Sequence, residues 1–172
     1  MIYELTEEER DAATITGKAR TERARSYGLS NTKKSPKSQE YIDLNGACGE
    51  IAFIGMLLKE QYIDLKTYEE QLATIKEAGI TSAQYGLDDG DVIISGNKVD
   101  VKTTEYDHGT LWLTYNKRGA LKIDTYVLLT GCHTVDWTYT FRGWLSSKEI
   151  LSNWDNRMTA GRFFQYELNK VW

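Results

Sequence analysis

The apolar positions of the chain follow two rhythms that mark out its elements. Between Leu44 and Leu58, residues Leu44, Ala47, Cys48, Ile51, Ile54, Gly55 and Leu58 recur at helical spacing, and Glu50 is the only charge. Between Asp91 and Lys102 the period is two, with Val92 and Ile94 before, and Val99 and Val101 after, a Gly96-Asn97 pair suited to a tight turn. This spacing predicts a helix followed by a β-hairpin. Upstream, Thr6 to about Tyr27 reads as a helix opened by a Thr6/Glu9 capping box, and the stretch 28–39, which holds the only proline, reads as a loop. Tyr68 to Ala78 predicts a further helix ending near Gly79. After the hairpin, Thr110 to Tyr115, the apolar run Tyr126 to Thr130 and the alternating Thr138 to Trp144 predict strands. Ser146 with Glu149 caps a short helix from Ser147 to about Trp154, and Phe163 to Leu168 fits a final strand. No internal repeat or low-complexity segment interrupts this order, which predicts an α/β (α+β) domain around a mixed sheet.

The hairpin also carries candidate chemistry. With Gly96 and Asn97 as the loop, Ser95 pairs with Lys98, Ile93 with Asp100 and Asp91 with Lys102. Side chains alternate along a strand, so Asp91, Ile93, Asp100 and Lys102 share the face opposite the valines. A solvated, salt-bridged strand pair is the plain explanation of such a face. Glu50 argues for more, because at about 100° per residue it lies between Ala47 and Ile54 on one side and Phe53 and Leu57 on the other. A carboxylate in that position needs a partner. A hydrogen bond or an arginine ion pair would serve; so would a metal ion held by the hairpin.

A helix bearing a glutamate, a strand opened by an aspartate and a hairpin partner carrying Asp-x-Lys together resemble the PD-(D/E)xK nuclease superfamily. The matching residues are Glu50, Asp91 and Asp100-Val101-Lys102, within about residues 40–130. Gly90 stands where the name-giving pattern has proline, and Asp88 and Asp89 compete with Asp91 as the strand-opening ligand; Asp91 directly opens the apolar strand. The resemblance implies a restriction-endonuclease-like core, a mixed central sheet flanked by helices. It implies Asp91, Asp100, the Val101 carbonyl and Glu50 as ligands of Mg2+, with Mn2+ able to substitute. Lys102 then orients the attacking water and stabilises developing negative charge, and cleavage leaves 3′-hydroxyl and 5′-phosphate ends. In the superfamily a helix separates the third and fourth strands; here only 116–123 is available for it.

The 172 residues fit one domain, with 1–39 as a basic N-terminal helix and loop. At 41% apolar and 27% charged the composition is that of a folded globular protein. No apolar run approaches 18 residues and no basic start leads into an apolar stretch, so the expected location is cytoplasmic, the host cytoplasm for a phage-encoded chain. Cys48 and Cys132, with His108 and His133 the only histidines, lack zinc-ligand spacing and read as reduced core thiols.

The net charge of −4 excludes a generally basic nucleic-acid binder, but its distribution is uneven. Lys18, Arg20, Arg23, Arg25, Lys33, Lys34 and Lys37 crowd one stretch in which Glu22 is the only acid. Such a stretch neutralises phosphates or is simply a solvated helix and linker. Lys117 and Arg118 are further phosphate candidates, or an exposed turn. Trp112, Trp137, Trp144 and Trp154 are stacking platforms or core aromatics. The reading that gathers most of these features is a Mg2+-dependent DNA endonuclease of the small phage or mobile-element kind, with DNA as partner and a homodimer compatible with it. The alternatives are a non-catalytic nucleic-acid-binding or assembly protein on a degenerate nuclease fold, and a Holliday junction resolvase.

Overall fold

A computed structural model of the chain describes residues 1–26, 36–81, 91–114, 123–153 and 160–172. Asp88, Asp89, Lys33, Lys34, Lys117, Arg118, Trp154 and most of the 116–123 connection lie outside the described residues.

Helix α1 (Glu7–Ser26) begins where the capping box was expected: the Thr6 N–H donates to Glu9 Oε2 at 2.8 Å and the Glu9 N–H to Thr6 Oγ1 at 3.3 Å. Helix α2 (Gln39–Lys59) starts at Ser38, whose hydroxyl accepts the Tyr41 N–H at 3.2 Å, and is buried almost continuously from Asn45 to Leu57. Its length and apolarity are those of a membrane-crossing helix, a property the count of uninterrupted apolar residues missed. Because 67% of that stretch is buried inside the protein, the same signature here describes a core helix. Helix α3 (Leu65–Thr81) starts three residues before the expected Tyr68, since the Asp64 carboxylate caps the Thr67 N–H at 2.8 Å, and it continues past Gly79.

A five-stranded mixed sheet runs in the order β1-β6-β5-β3-β2, built from β1 (Ile2–Glu4), β2 (Val92–Ile94), β3 (Asn97–Thr104), β5 (Thr125–Gly131) and β6 (Thr138–Ser146). Strands β3 and β5 are parallel and the other pairs antiparallel. Edge strand β1 escaped the sequence reading because three residues are too few for a period. The short helix α4 (Ser147–Asn153) is held by the Ser146/Glu149 pair as expected. Strands β4 (Leu111–Thr114) and β7 (Ala160–Phe163) form a separate antiparallel ribbon, so the final strand lies earlier than Phe163 to Leu168, and a 3-10 turn at Gln165–Glu167 follows it.

Each face of the sheet has its own core. Val99, Val101, Val127 and Leu129 pack beneath α2 with Ile51, Phe53 and Ile54. On the other face Tyr126 and Leu128 pack with Leu111, Leu113 and Phe163 of the ribbon and with Leu145, Ile150 and Leu168. Parallel register aligns Asp100 with Tyr126 and Lys102 with Leu128, so the Asp-x-Lys pair belongs to this second, smaller core.

The hairpin loop is Ser95-Gly96, one residue earlier than expected, with φ of 50° and 83°. Both residues take the left-handed conformation of the tight turn, and Asn97 joins the strand opposite Ile94. The slip moves the pairing by two residues, which preserves which side chains share a face but changes their opposites: Ile93 now pairs with Lys98 rather than Asp100.

Candidate functional site

Asp91 stands at the open end of the hairpin, not across from Lys102 as the expected register had it. Its N–H donates to the Val99 carbonyl at 2.7 Å and its Oδ2 accepts the Val101 N–H at 2.6 Å, so the carboxylate completes a ladder that β2 does not reach. Asp100 is 0% exposed, and its Oδ1 is ion-paired with Lys102 Nζ on the same face of β3. Glu50, 4% exposed, comes from α2. That helix lies directly on β3, because a side chain at Gly49 would collide with Thr103, the residue after Lys102.

Of the explanations open for Glu50, an arginine partner is present. Arg20 Nη1 and Nη2 donate to Glu50 Oε1 and Oε2, each at 2.6 Å, in a bidentate pair. The pairing depends on a close crossing of α1 and α2, where a Cβ on Gly17 would lie 2.7 Å from Leu44 Cα. Arg20 thus belongs to the carboxylate cluster and not to an exposed phosphate-binding row. Arg25 is likewise paired with Glu40, and Lys37 with Glu105 at 3.2 Å, while Arg23 sits in the last turn of α1, where the helix dipole favours a cation. Lys18 and Arg25 line one cleft with Glu22 and Glu40, so acids are interleaved with the cations there.

The four site residues singled out from sequence lie in one another's electrostatic field. Burial first, then Glu50 and Asp100, push the Asp91 carboxyl well above the usual range, against the pull of Lys102 and Arg20. Burial alone would lower the Lys102 ammonium; Asp100, then Asp91, outweigh it and hold it above its ordinary value. Three carboxyl groups here share the influence of two cations, Lys102 and Arg20. Hard oxygen donors crowded by their own repulsion are chemically suited to Mg2+. As they stand, no three Asp, Glu, His or Cys side chains among the described residues converge on one point, since Glu50 faces Arg20, Asp100 faces Lys102 and Asp91 faces a backbone N–H.

The raised Asp91 carboxyl has a thermodynamic consequence. In the metal-free protein the unfolded chain releases this proton at lower pH than the folded one, so the stability Asp91 gives below the unfolded carboxylate range is lost as pH rises through the folded value. Asp91→Asn should therefore melt above the parent at pH 7 without metal, and the gap should close on acidification toward pH ~4. Thermal melts across pH decide this; equal curves would mean that the carboxylate is not crowded.

Both cysteines are free and buried, as expected, with Cys132 Sγ hydrogen-bonded to the Tyr41 and Thr134 hydroxyls. Trp137 and Trp144 are partly buried against the larger core, and the Trp144 indole N–H donates to the Val171 carbonyl at 2.7 Å. Trp112 instead is 62% exposed on the outer face of the ribbon, opposite Arg162 in register, with the Arg162 guanidinium 5.2 Å from the Phe164 ring centroid. Arg162 was missed because it is a lone cation in sequence; the alternation of Leu111, Trp112 and Leu113 was the available signal for the ribbon's outer face. Comparisons of the chain with protein-family models, with curated proteins and with solved structures find no match.

Proposed function

We propose that this chain is a Mg2+-dependent endonuclease of the PD-(D/E)xK kind, hydrolysing DNA phosphodiester bonds on a restriction-endonuclease-like core. The observation that supports the reading is that Asp91, Asp100 and Lys102 of one hairpin share an electrostatic environment with Glu50 of helix α2, the Asp91 carboxyl being raised by burial, Glu50 and Asp100. Asp91, Asp100, Glu50 and the Val101 carbonyl would hold the ion, which supplies charge neutralisation at the phosphate and a more acidic bound water. Lys102, held cationic by Asp100, orients the attacking water and offers positive charge as the phosphate gains negative charge. The buried setting of Asp100 and Glu50 strengthens these interactions relative to water.

Incubating the protein with supercoiled, linear, single-stranded and branched DNA, with and without Mg2+, tests the reading. Metal-dependent cuts with 5′-phosphate ends are the expected result, and preference for branched DNA would mark a junction resolvase. The ion pairs that already occupy Glu50 and Asp100 favour the second reading, a non-catalytic DNA-binding protein. Binding without cleavage in Mg2+ and in Mn2+ would select it.

The ribbon is the proposed DNA-contacting surface under either reading, since Trp112 and Phe164 offer π-faces beside a cation. Trp112→Ala should weaken binding to single-stranded DNA by about 1–3 kcal/mol while leaving the melting temperature unchanged. Equal affinity of parent and variant in a fluorescence anisotropy titration would remove Trp112 from the interface.

A further inference from the structure

The β5–β6 turn, residues 132–137, is tied to the first turns of α2 through one buried side chain, Asn45. Its Oδ1 accepts the His133 N–H at 3.4 Å, the His133 Nδ1–H at 3.3 Å and the Tyr139 hydroxyl at 2.9 Å, while its Nδ2 donates to the Gly131 carbonyl at 3.4 Å. The bond to Gly131 fixes the orientation of the amide, and an amide oxygen only accepts, so neutral His133 carries its proton on Nδ1. His133 is 9% exposed, and its ring contacts Tyr41 of α2 and Trp137 of the turn, with centroids 4.7 and 5.7 Å away. Trp137 closes the turn at a φ of 59°, a left-handed conformation that bulky residues rarely adopt. Between these anchors Thr134, Val135 and Asp136 are exposed. A turn kept in a disfavoured backbone conformation by contacts around one imidazole has an alternative once those contacts fail.

The surroundings of that imidazole suit its neutral form. Glu105, just beyond β3, is the carboxylate that acts on it, and Glu105 is already bound by the Tyr41 hydroxyl at 2.7 Å and by Lys37 Nζ at 3.2 Å. Lys37 also lies 4.5 Å from the Tyr41 ring centroid, and the Arg10 guanidinium of α1 lies 5.6 Å from that of Trp137, so both rings that touch His133 already carry a cation. From β6 comes the Tyr139 phenol. The turn itself supplies the Cys132 thiol, bonded to the Tyr41 and Thr134 hydroxyls, and Asp136, whose Oδ1 accepts the Thr138 N–H at 3.0 Å. A second ring proton would sit on Nε2, which has no hydrogen-bond partner among the described residues. Burial lowers the imidazole below its ordinary value; Glu105 opposes this and Lys37 adds to it. The stability that His133 gives the closed turn is thus present above the unfolded imidazole range, about pH 6.5, and is lost as pH falls.

We propose that the β5–β6 turn is a pH-sensitive latch, closed on α2 while His133 is neutral and opened when acid protonates it, Trp137 then leaving its left-handed conformation. Opening uncovers Asn45 and Tyr41 at the carboxyl ends of β5 and β3. The latch does not depend on the nuclease reading.

Hydrogen exchange of residues 132–138, corrected for the intrinsic pH dependence of the exchange chemistry, reads the opening at about pH 7.5 and about pH 5. Exchange there should rise several-fold at the lower pH while residues 92–104 of the hairpin keep their protection. An unchanged turn overturns the proposal, and so does an equal rise in the hairpin, which would mark loosening of the whole protein. His133→Phe keeps a ring against Tyr41 and Trp137, leaves Asn45 Oδ1 with the Tyr139 hydroxyl and cannot titrate. Its turn should stay protected at both pH values; a parent-like rise would assign the response to another group and overturn the latch. The Cε1–H nuclear magnetic resonance signal of His133 in the parent, read beside that of the exposed His108, decides the matter without a variant. It should titrate at lower pH than His108 and with the midpoint of the exchange change. Titration together with His108 would mean a ring open to water and would overturn the proposal.

Discussion

Asp100→Asn should abolish Mg2+-dependent DNA cleavage while the protein melts close to the parent temperature. Asparagine keeps the shape of the side chain at a fully buried position, removes one of the two carboxylates that raise the Asp91 carboxyl, and leaves Lys102 able to reach water. The converse change is less clean. Lys102→Ala should lower turnover by about 10²–10³-fold through the lost charge at the phosphate, but it strands Asp100 in the core without its cation, which costs about 3 kcal/mol. Cleavage assays on both variants, read beside thermal melts, separate chemistry from folding. A normally melting Asp100→Asn protein that cuts like the parent would end the nuclease assignment.

Gly17→Ala should destabilise the protein even though alanine is the better helix former by about 1 kcal/mol. The added methyl would sit 2.7 Å from Leu44 Cα and 3.0 Å from Leu44 N, and backbone atoms cannot rotate away as a side-chain end can. Overpacking of this kind costs about 1–3 kcal/mol, so the melting temperature should fall by a few degrees, roughly 2–4 °C per kcal/mol at this chain length. Because Arg20 lies one turn beyond Gly17, the same change should loosen the Glu50 pair. A variant melting above the parent would mean that α1 and α2 part easily and that the crossing does not position Arg20.

Much of the site was legible because it depends on local periodicity. The core and charged faces of the hairpin follow from a period of two, and they survive the slip of the loop from Gly96-Asn97 to Ser95-Gly96 because the pairing shifts by an even number of residues. The direct opposite of Asp91 did not survive it, since that depends on which residue accepts a positive φ, and Ser95 does so here. The burial of Glu50 could be read from the absence of any other charge in its apolar segment. Its partner could not: Arg20 is 30 residues away and meets Glu50 only through a helix crossing. Composition grouped Arg20 with its cationic neighbours, whereas tertiary packing assigns it to a carboxylate. The same limit applies to the ribbon, whose two strands are far apart in sequence and whose outer aromatic face exists only once they pair.

That ribbon also bears on the order in which the protein can assemble. Tyr126 and Leu128, the strand neighbours of Asp100 and Lys102, are covered by Leu111, Leu113, Phe163 and Leu168, and two of these four leave the ribosome long after the hairpin has formed. Contacts so distant in sequence close late, after local turns and helices. A nascent chain that has emerged only as far as β6 therefore carries the whole set of charged side chains with one wall of their chamber missing. Part of the apolar cover on that face is thus synthesised later than the charged side chains it adjoins.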